Sequence, residues 1–266
     1  MRPSIIGGLC VIHCNLDRRR FVAGTGALAV AGWAGCAKAI EAPALEIVKL
    51  AENIWLHRSW KLLPDGSPFS SNGLIVKGRS RGLIVDTTMP EKDMPELIAW
   101  ARHLSSGLPL QLVSTHAHGD RMSGIEIARA AGVSTYAFHL GRELAPKRGL
   151  PEAEHGWFGY WKRFDLGGRR IDFYYPGPAH SRDNIVAYVP DVELLFGGCM
   201  LRAMADTDLG SVADADLEHW PRSMKRLIGQ YGRFTKIAIP GHGMPGDARL
   251  LYHTRDLVNA AARSQA

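Results

Sequence analysis

Apolar positions in this chain follow a strand-like period in some stretches and a helical period in others, and the two alternate along the sequence. Short apolar runs fall at 46–50, 53–58, 73–77 and 82–86, the last two flanking a turn-like Gly78-Arg79-Ser80-Arg81 that predicts a hairpin. Residues 90–104 then carry Met94, Leu97, Ile98, Ala101 and Leu104 at helical spacing. A buried strand at 110–114, a helix at 125–131, a strand at 133–138 and a helix at 140–145 follow. Residues 146–168, rich in glycine and aromatics, predict no element. Strands resume at 170–175, 185–189 and 193–196, and helices at 217–229 and 247–262 flank a strand at 236–239. Strands followed by helices in both halves predict an α/β fold, a four-layer αββα sandwich of two packed sheets with helices outside. No linker divides the pattern, so one domain is expected at 40–266. Residues 59–70 read as a loop holding Trp60, Leu62, Leu63 and Phe69 with two prolines. Such apolar loop residues either tuck under the domain or form a lid over a ligand, and the loop alone leaves both open.

The first 39 residues change the picture of charge and compartment. Asp17-Arg18-Arg19-Arg20-Phe21-Val22 has the twin-arginine form, an Ala/Gly-rich apolar run continues to Trp33, and Ala37-Lys38-Ala39 offers a small-x-small cleavage site. The run is shorter than the roughly 20 residues a stable membrane span needs. The expectation is an export signal at 1–39 that delivers the protein to the periplasm, with no stable membrane span. Lipidation at Cys36 is a less favoured alternative, because Trp33 is a poor match to the usual aliphatic residue. This segment carries five basic residues against one acid, so the net charge of +6 falls to +2 without it. The basic balance therefore belongs mostly to the leader and implies no nucleic-acid partner. Cys10, Cys14 and Cys36 lie in the same segment, which leaves Cys199 as the lone thiol of the remainder. Such a thiol is buried and inert, reactive, or held by a metal.

Candidate chemistry gathers at strand ends. After the run at 110–114, His116-Ala117-His118-Gly119-Asp120 packs two imidazoles and a carboxylate into five residues. Alternate residues leaving a strand share a face, so His116 and His118 can meet one cation while Asp120 reaches a neighbouring position. His180 sits in a turn stiffened by Pro176 and Pro178. Cys199 follows Phe196-Gly197-Gly198, and His242 follows Ile239-Pro240-Gly241. Gly and Pro flanks give a ligand a fixed backbone and room in front of it. Three imidazoles, His116, His118 and His180, leave one open position at a tetrahedral Zn²⁺; Asp120, Cys199 and His242 do the same for a second ion. Two zinc ions per chain are expected. A rival reading, a copper electron-transfer site of His180, Cys199 and His242 with Met244 axial, leaves His116, His118 and Asp120 without a task.

These motifs resemble those of class B metallo-β-lactamases, in the subclass with three histidines at one zinc and Asp/Cys/His at the other. The resemblance runs from Asn53 to about His253 and rests on five motifs. They are His116 to Arg121, Gly177-Pro178-Ala179-His180-Ser181-x-Asp183-Asn184, Leu195 to Cys199, Leu209-Gly210-x-x-x-Asp214-Ala215, and Pro240-Gly241-His242-Gly243. Ser71 to Val76 is similar to the segment after the family's active-site flap. Thioesterases of the same superfamily have His and a bridging Asp where this chain has Arg121 and Cys199.

The resemblance implies zinc-dependent hydrolysis of the β-lactam amide of antibiotics by a metal-activated hydroxide, in a chain expected to be a monomer. Asp120 would orient the nucleophile. Arg202 stands where the family usually has Lys and would hold the substrate carboxylate; Ser211 stands where Asn is common, near the developing oxyanion. Trp60 and Phe69 become candidate substrate-binding residues, and Asp86 and Arg121 are read as groups that orient the ligands. The alternative within the fold is a zinc hydrolase acting on lactones or thioesters.

Overall fold

Period-two alternation sorts the strands of this protein between two faces, and that sorting builds the layers. The computed structural model describes residues 41–264, so the signal read at 1–39 lies outside the described residues. One sheet contains seven strands in chain order: β1 (Glu46–Ala51), β2 (Ile54–Leu62), β3 (Pro68–Lys77), β4 (Gly82–Val85), β5 (Leu110–Ser114), β6 (Ser134–Phe138) and β7 (His155–Trp157). Pairing is antiparallel from β1 to β4 and parallel from β4 to β7. The second sheet has the order β12 (Ile237–Pro240), β11 (Leu194–Gly198), β10 (Val186–Val189), β9 (Arg170–Tyr174), β8 (Trp161–Asp165). Only its β11–β12 pair is parallel.

Leu74, Val76, Leu83 and Val85 of the first sheet face Phe173, Ala187, Phe196 and Ile239 of the second, forming one buried core between the sheets. Their neighbours Ile75, Ile84 and Leu112 point the other way, onto α1 (Met94–Leu104) and α3 (Ile125–Ala130) through Leu97, Ile98, Ala101, Ile125 and Ala128. Val186, Leu195 and Ala238 of the second sheet likewise meet Trp220, Met224 and Leu227 of α5 (Trp220–Tyr231) and Leu250, Leu251 and Val258 of α6 (Arg249–Ser264). The result is the expected four-layer αββα sandwich. Full burial of each such aliphatic side chain contributes about 1.5–3 kcal/mol, so three cores of this kind hold the layers together. Two helices complete the fold: the short α2 (Gly119–Met122), and α4 (His139–Lys147) after β6. Among the described residues no helix is long and apolar enough to cross a membrane.

Three sequence expectations differ from what is found. Residues 59–70 are not a loop but the far end of a hairpin, with Trp60 opposite Ser70 and Lys61 opposite Phe69. Pro64 sits in its turn and Pro68 at the first position of β3, the two places where proline does not break a ladder. The turn closes through Leu63 N–H to Ser67 O at 2.8 Å. The unassigned stretch 146–168 contains β7 and β8, short strands with largely exposed side chains and hence a weak apolar signal. Residues 91–93 form a 3₁₀ turn ahead of α1 rather than its first α-helical turn.

Candidate metal centre

Parallel strands end together on one rim of the sandwich, and the chain places its ligand-type residues there. His116 to Asp120 follow β5, Cys199 follows β11 and His242 follows β12, while His180 lies in the β9–β10 connection. His118 Nδ1 lies 3.0 Å from His116 Nε2 and 3.2 Å from His180 Nε2. Beside them Cys199 Sγ lies 3.2 Å from His242 Nε2 and 3.8 Å from Asp120 Oδ2, with His242 Nε2 to Asp120 Oδ2 at 3.4 Å. All six expected residues therefore converge. Mixed triples such as His116, His118 and Asp120 also fall within 4.8 Å, because the two sets share one floor. Two nitrogens on a tetrahedral Zn²⁺ at about 2.0–2.1 Å stand about 3.3 Å apart, close to the spacings of His118 from His116 and from His180. Met244, the axial ligand of the copper reading, is 65% exposed and does not line the cleft.

A buried polar frame holds these groups. Asp86, at the end of β4 with φ of +65°, accepts Thr115 N–H at 2.7 Å and Thr115 Oγ1–H at 2.9 Å. Arg121 is fully buried and donates to Asn72 O at 2.6 Å, Gly241 O at 2.9 Å, Asp86 Oδ2 at 3.2 Å and Cys199 Sγ at 3.1 Å. Its Nε is 3.0 Å from Asp120 Oδ2, an ion pair not aligned as a hydrogen bond. Asn72 ties β3 to the end of β12, donating to Pro240 O at 3.0 Å and Gly243 O at 2.8 Å. Gly241 is required by close approach: a Cβ there would lie 2.7 Å from Cys199 N, Cys199 Sγ and Arg121 Nη2.

Protonation follows from this burial. Desolvation lowers His180 to about 3 and His242 to about 4, and with the neighbouring imidazoles it lowers His116 well below the usual value, so these rings are neutral at pH 7. His242 Nδ1 donates to Ser70 O at 2.7 Å, which leaves Nε2 as a lone pair facing Cys199. Burial pushes the Cys199 thiol up to about 12, against the pull of Arg121. Burial also raises Asp86, to about 7, with Arg121 opposing. For Asp120 burial acts upward, but Arg121 and His242 outweigh it and keep the carboxyl below its ordinary value. Arg121 shows the counterpart: burial lowers it, while Asp120, Cys199 and Asp86 hold it above the ordinary guanidinium value.

The cluster floors a cleft of about 670 Å³ also lined by Lys61, Phe69, Arg202, Ser211 and Asp214. Phe69 stacks on His242 with ring centroids 4.5 Å apart. Trp60 does not line the cleft, against expectation. It is offset by one residue from Lys61, so its side chain takes the opposite face of the ribbon, where Arg58 lies over its ring at 5.9 Å. Arg202 Nε is held by Asp206 Oδ2 and Asp208 O, both at 3.1 Å, and its guanidinium lies over Gly210. Among the described residues no hydrogen bond is made by Nη1 or Nη2. Sequence reasoning gave no role to Lys61, Asp183 or Asp214. Asp214 Oδ2 meets His118 Nε2 at 2.9 Å, and Asp183 Oδ2 accepts Ala117 N–H at 2.7 Å. Both aspartates stand inside motifs already quoted, which was the available signal; Lys61 could have been found only from the strand register.

Buried neutral imidazoles, a thiol and a carboxylate gather at strand ends beneath an open cleft, a donor set that could hold a metal ion. The family model described as Metallo-beta-lactamase superfamily matches residues 66–242. The chain is 33% identical to the metallo-beta-lactamase type 2 of Bacillus cereus over 219 residues, 82% of this chain and 84% of that protein. Among solved structures, DIM-1 metallo-beta-lactamase exposed to ceftazidime aligns with a TM-score of 0.77 at 36% identity, covering 83% of this chain and 99% of that one. FIM-1 from Pseudomonas aeruginosa, solved in a mono-zinc form, aligns with a TM-score of 0.75 at 31% identity, covering 83% and 97%. This chain belongs to the metallo-beta-lactamase superfamily.

Proposed function

We propose that this protein hydrolyses the amide bond of β-lactam antibiotics with two bound Zn²⁺ ions. The observation that carries the reading is the convergence of six donor atoms in two adjacent sets of three, under a cleft with Arg202 on its wall. His116, His118 and His180 hold one ion; Asp120, Cys199 and His242 hold the other. The names of the relatives, one of them solved after exposure to ceftazidime and one with zinc, support the substrate class and the metal. When bound, such ions make a nucleophile available at neutral pH and polarise a carbonyl.

The chain's own residues do the rest. Asp120 lies between the two sets and stays ionised, so its carboxylate orients the attacking water while helping to hold the second ion. Arg121, sealed beneath it, neutralises the buried charge of Asp120, Cys199 and Asp86. Arg202 Nη1 and Nη2 receive the substrate carboxylate, a charge-assisted pair in a shielded wall. Ser211, which lines the cleft, is the donor assigned to the developing oxyanion. Phe69 offers an apolar face to the substrate, replacing the pair of aromatics expected from the sequence.

We extend the proposal to compartment and organisation: residues 1–39 direct export, and 40–266 act as one monomeric catalytic unit in the periplasm. Arg18→Lys with Arg19→Lys should leave activity in the cytoplasmic fraction, and unchanged periplasmic activity would contradict it. Steady-state assays with a cephalosporin, a lactone and an acyl-glutathione test the reaction. Turnover of the cephalosporin is expected; preference for the lactone or thioester would assign the site to another hydrolase of this fold.

A further inference from the structure

Outside the six donors, one guanidinium touches every segment that carries an imidazole of the three-histidine set. Arg148, at the C-terminal end of α4, donates through Nη1 to Ala117 O at 2.9 Å and to Ser181 Oγ at 3.2 Å. Ala117 separates His116 from His118, and Ser181 follows His180. Through Nη2 the same side chain pairs with Asp214 Oδ1 at 3.1 Å. The other oxygen of Asp214 meets His118 Nε2 at 2.9 Å. A carboxylate can only accept, so this bond places the imidazole proton on Nε2 and leaves Nδ1 bare, the nitrogen that faces His116 Nε2 and His180 Nε2.

Asp214 alone is a weak anchor. Its side chain is 46% exposed, on a connection between β11 and α5, and in water such a carboxylate samples many rotamers. Arg148 is 21% exposed and has its fork fixed at two further points on the turns around it. The rigid partner therefore holds the mobile one. We propose that Arg148 is a positioning residue: it holds Asp214 against His118 and so fixes the orientation and tautomer of a metal-binding imidazole from the far side of the cleft wall. The inference rests on the reading of His116, His118 and His180 as one ligand set. It adds a coupling that the reading does not contain, between the end of α4, the loop of Asp214 and one of two adjacent metal sites. Groups that orient a metal-bound histidine typically change metal affinity about 10- to 100-fold when removed.

The test uses the full chain and Zn²⁺ alone, with two dissociation constants resolved by competition against a chelator. Arg148→Ala should weaken one site about 10- to 100-fold and leave the other within about twofold. Asp214→Asn should weaken the same site. Because the two residues act in series, Arg148→Ala combined with Asp214→Asn should lose no more than the worse single variant. Arg148→Lys, which keeps the charge but not the fork, should recover part of the loss. A merely structural role at the end of α4 would lower the melting temperature of the metal-free chain and weaken both sites together. That outcome, or additive losses in the double variant, or unchanged affinities, would overturn the inference. His118→Ala separates the two levels: if it leaves both dissociation constants unchanged the ligand reading itself fails, and if it removes one site while Arg148→Ala changes nothing only the present inference fails.

Discussion

Cys199 sits under the strongest chemical constraint in the cleft. Its thiol is buried and its ionisation is pushed up to about 12, so in the metal-free chain it is protonated at pH 7. Binding of a cation there must expel that proton, and a neutral hydroxyl cannot replace the thiolate that results. Cys199→Ser is therefore expected to fold, to lose one of two zinc ions on dialysis and to lose most lactam turnover; retention of two zincs with near wild-type turnover would refute the assignment. Arg202 makes a different prediction. With Nε held by the loop and two nitrogens free, Arg202→Ala should lower kcat/KM roughly 10- to 100-fold, corresponding to about 1.5–3 kcal/mol for a charge-assisted pair. The loss should fall mainly on KM and should vanish for a substrate whose carboxylate is esterified. An equal loss on the ester would exclude the carboxylate contact. At this scale the six side chains that converge were legible in the sequence, because Gly and Pro flanks mark the turns that present them. Trp60 was not, since one position along a strand reverses the face and only the register with Ser70 shows it.

Elements explain why residues so far apart in sequence share a floor. β5, β11 and β12 end on the same rim, and Asn72 on β3 fastens the end of β12 through Pro240 O and Gly243 O. Gly241 lets this strand end approach Cys199 and Arg121. Gly241→Ala should push Cys199 off its position and cost about 1–3 kcal/mol of stability by overpacking. Metal-free denaturant unfolding and zinc content measure the two effects, and a variant with wild-type values of both would show that the approach is not needed. The strong strands and amphipathic helices were readable from period alone, each having one buried face. The ribbon at 59–70 and the strands β7 and β8 were not. Prolines at the turn and strand start imitate a loop, and short strands with exposed side chains leave no periodic apolar trace.

For the whole molecule, burial of histidine links stability to pH. His57 is fully buried and meets Val85 O at 3.0 Å; desolvation lowers it from 6.5 to about 4. Above pH 6.5 it is neutral folded or unfolded, and its contribution is fully present. As pH falls from 6.5 to 4 the unfolded chain binds the proton first, and roughly 3 kcal/mol is lost, each tenfold difference in proton affinity being worth about 1.36 kcal/mol. Asp86, raised by burial from 3.8 to about 7, acts in the opposite direction across this whole range, so the comparison that isolates His57 is with His57→Gln. Denaturant midpoints of the metal-free proteins should fall more steeply with acid in the wild type than in the variant; parallel curves would show that His57 is not buried as a neutral ring.

If the six side chains on this rim hold zinc, β-lactam hydrolysis by this chain depends on that metal. Titrating the metal-free chain with Zn²⁺ while following cephalosporin hydrolysis addresses it directly. No turnover is expected without zinc, followed by a rise that saturates by two equivalents per chain. Undiminished hydrolysis under a strong chelator, or no hydrolysis at saturating zinc, would contradict it.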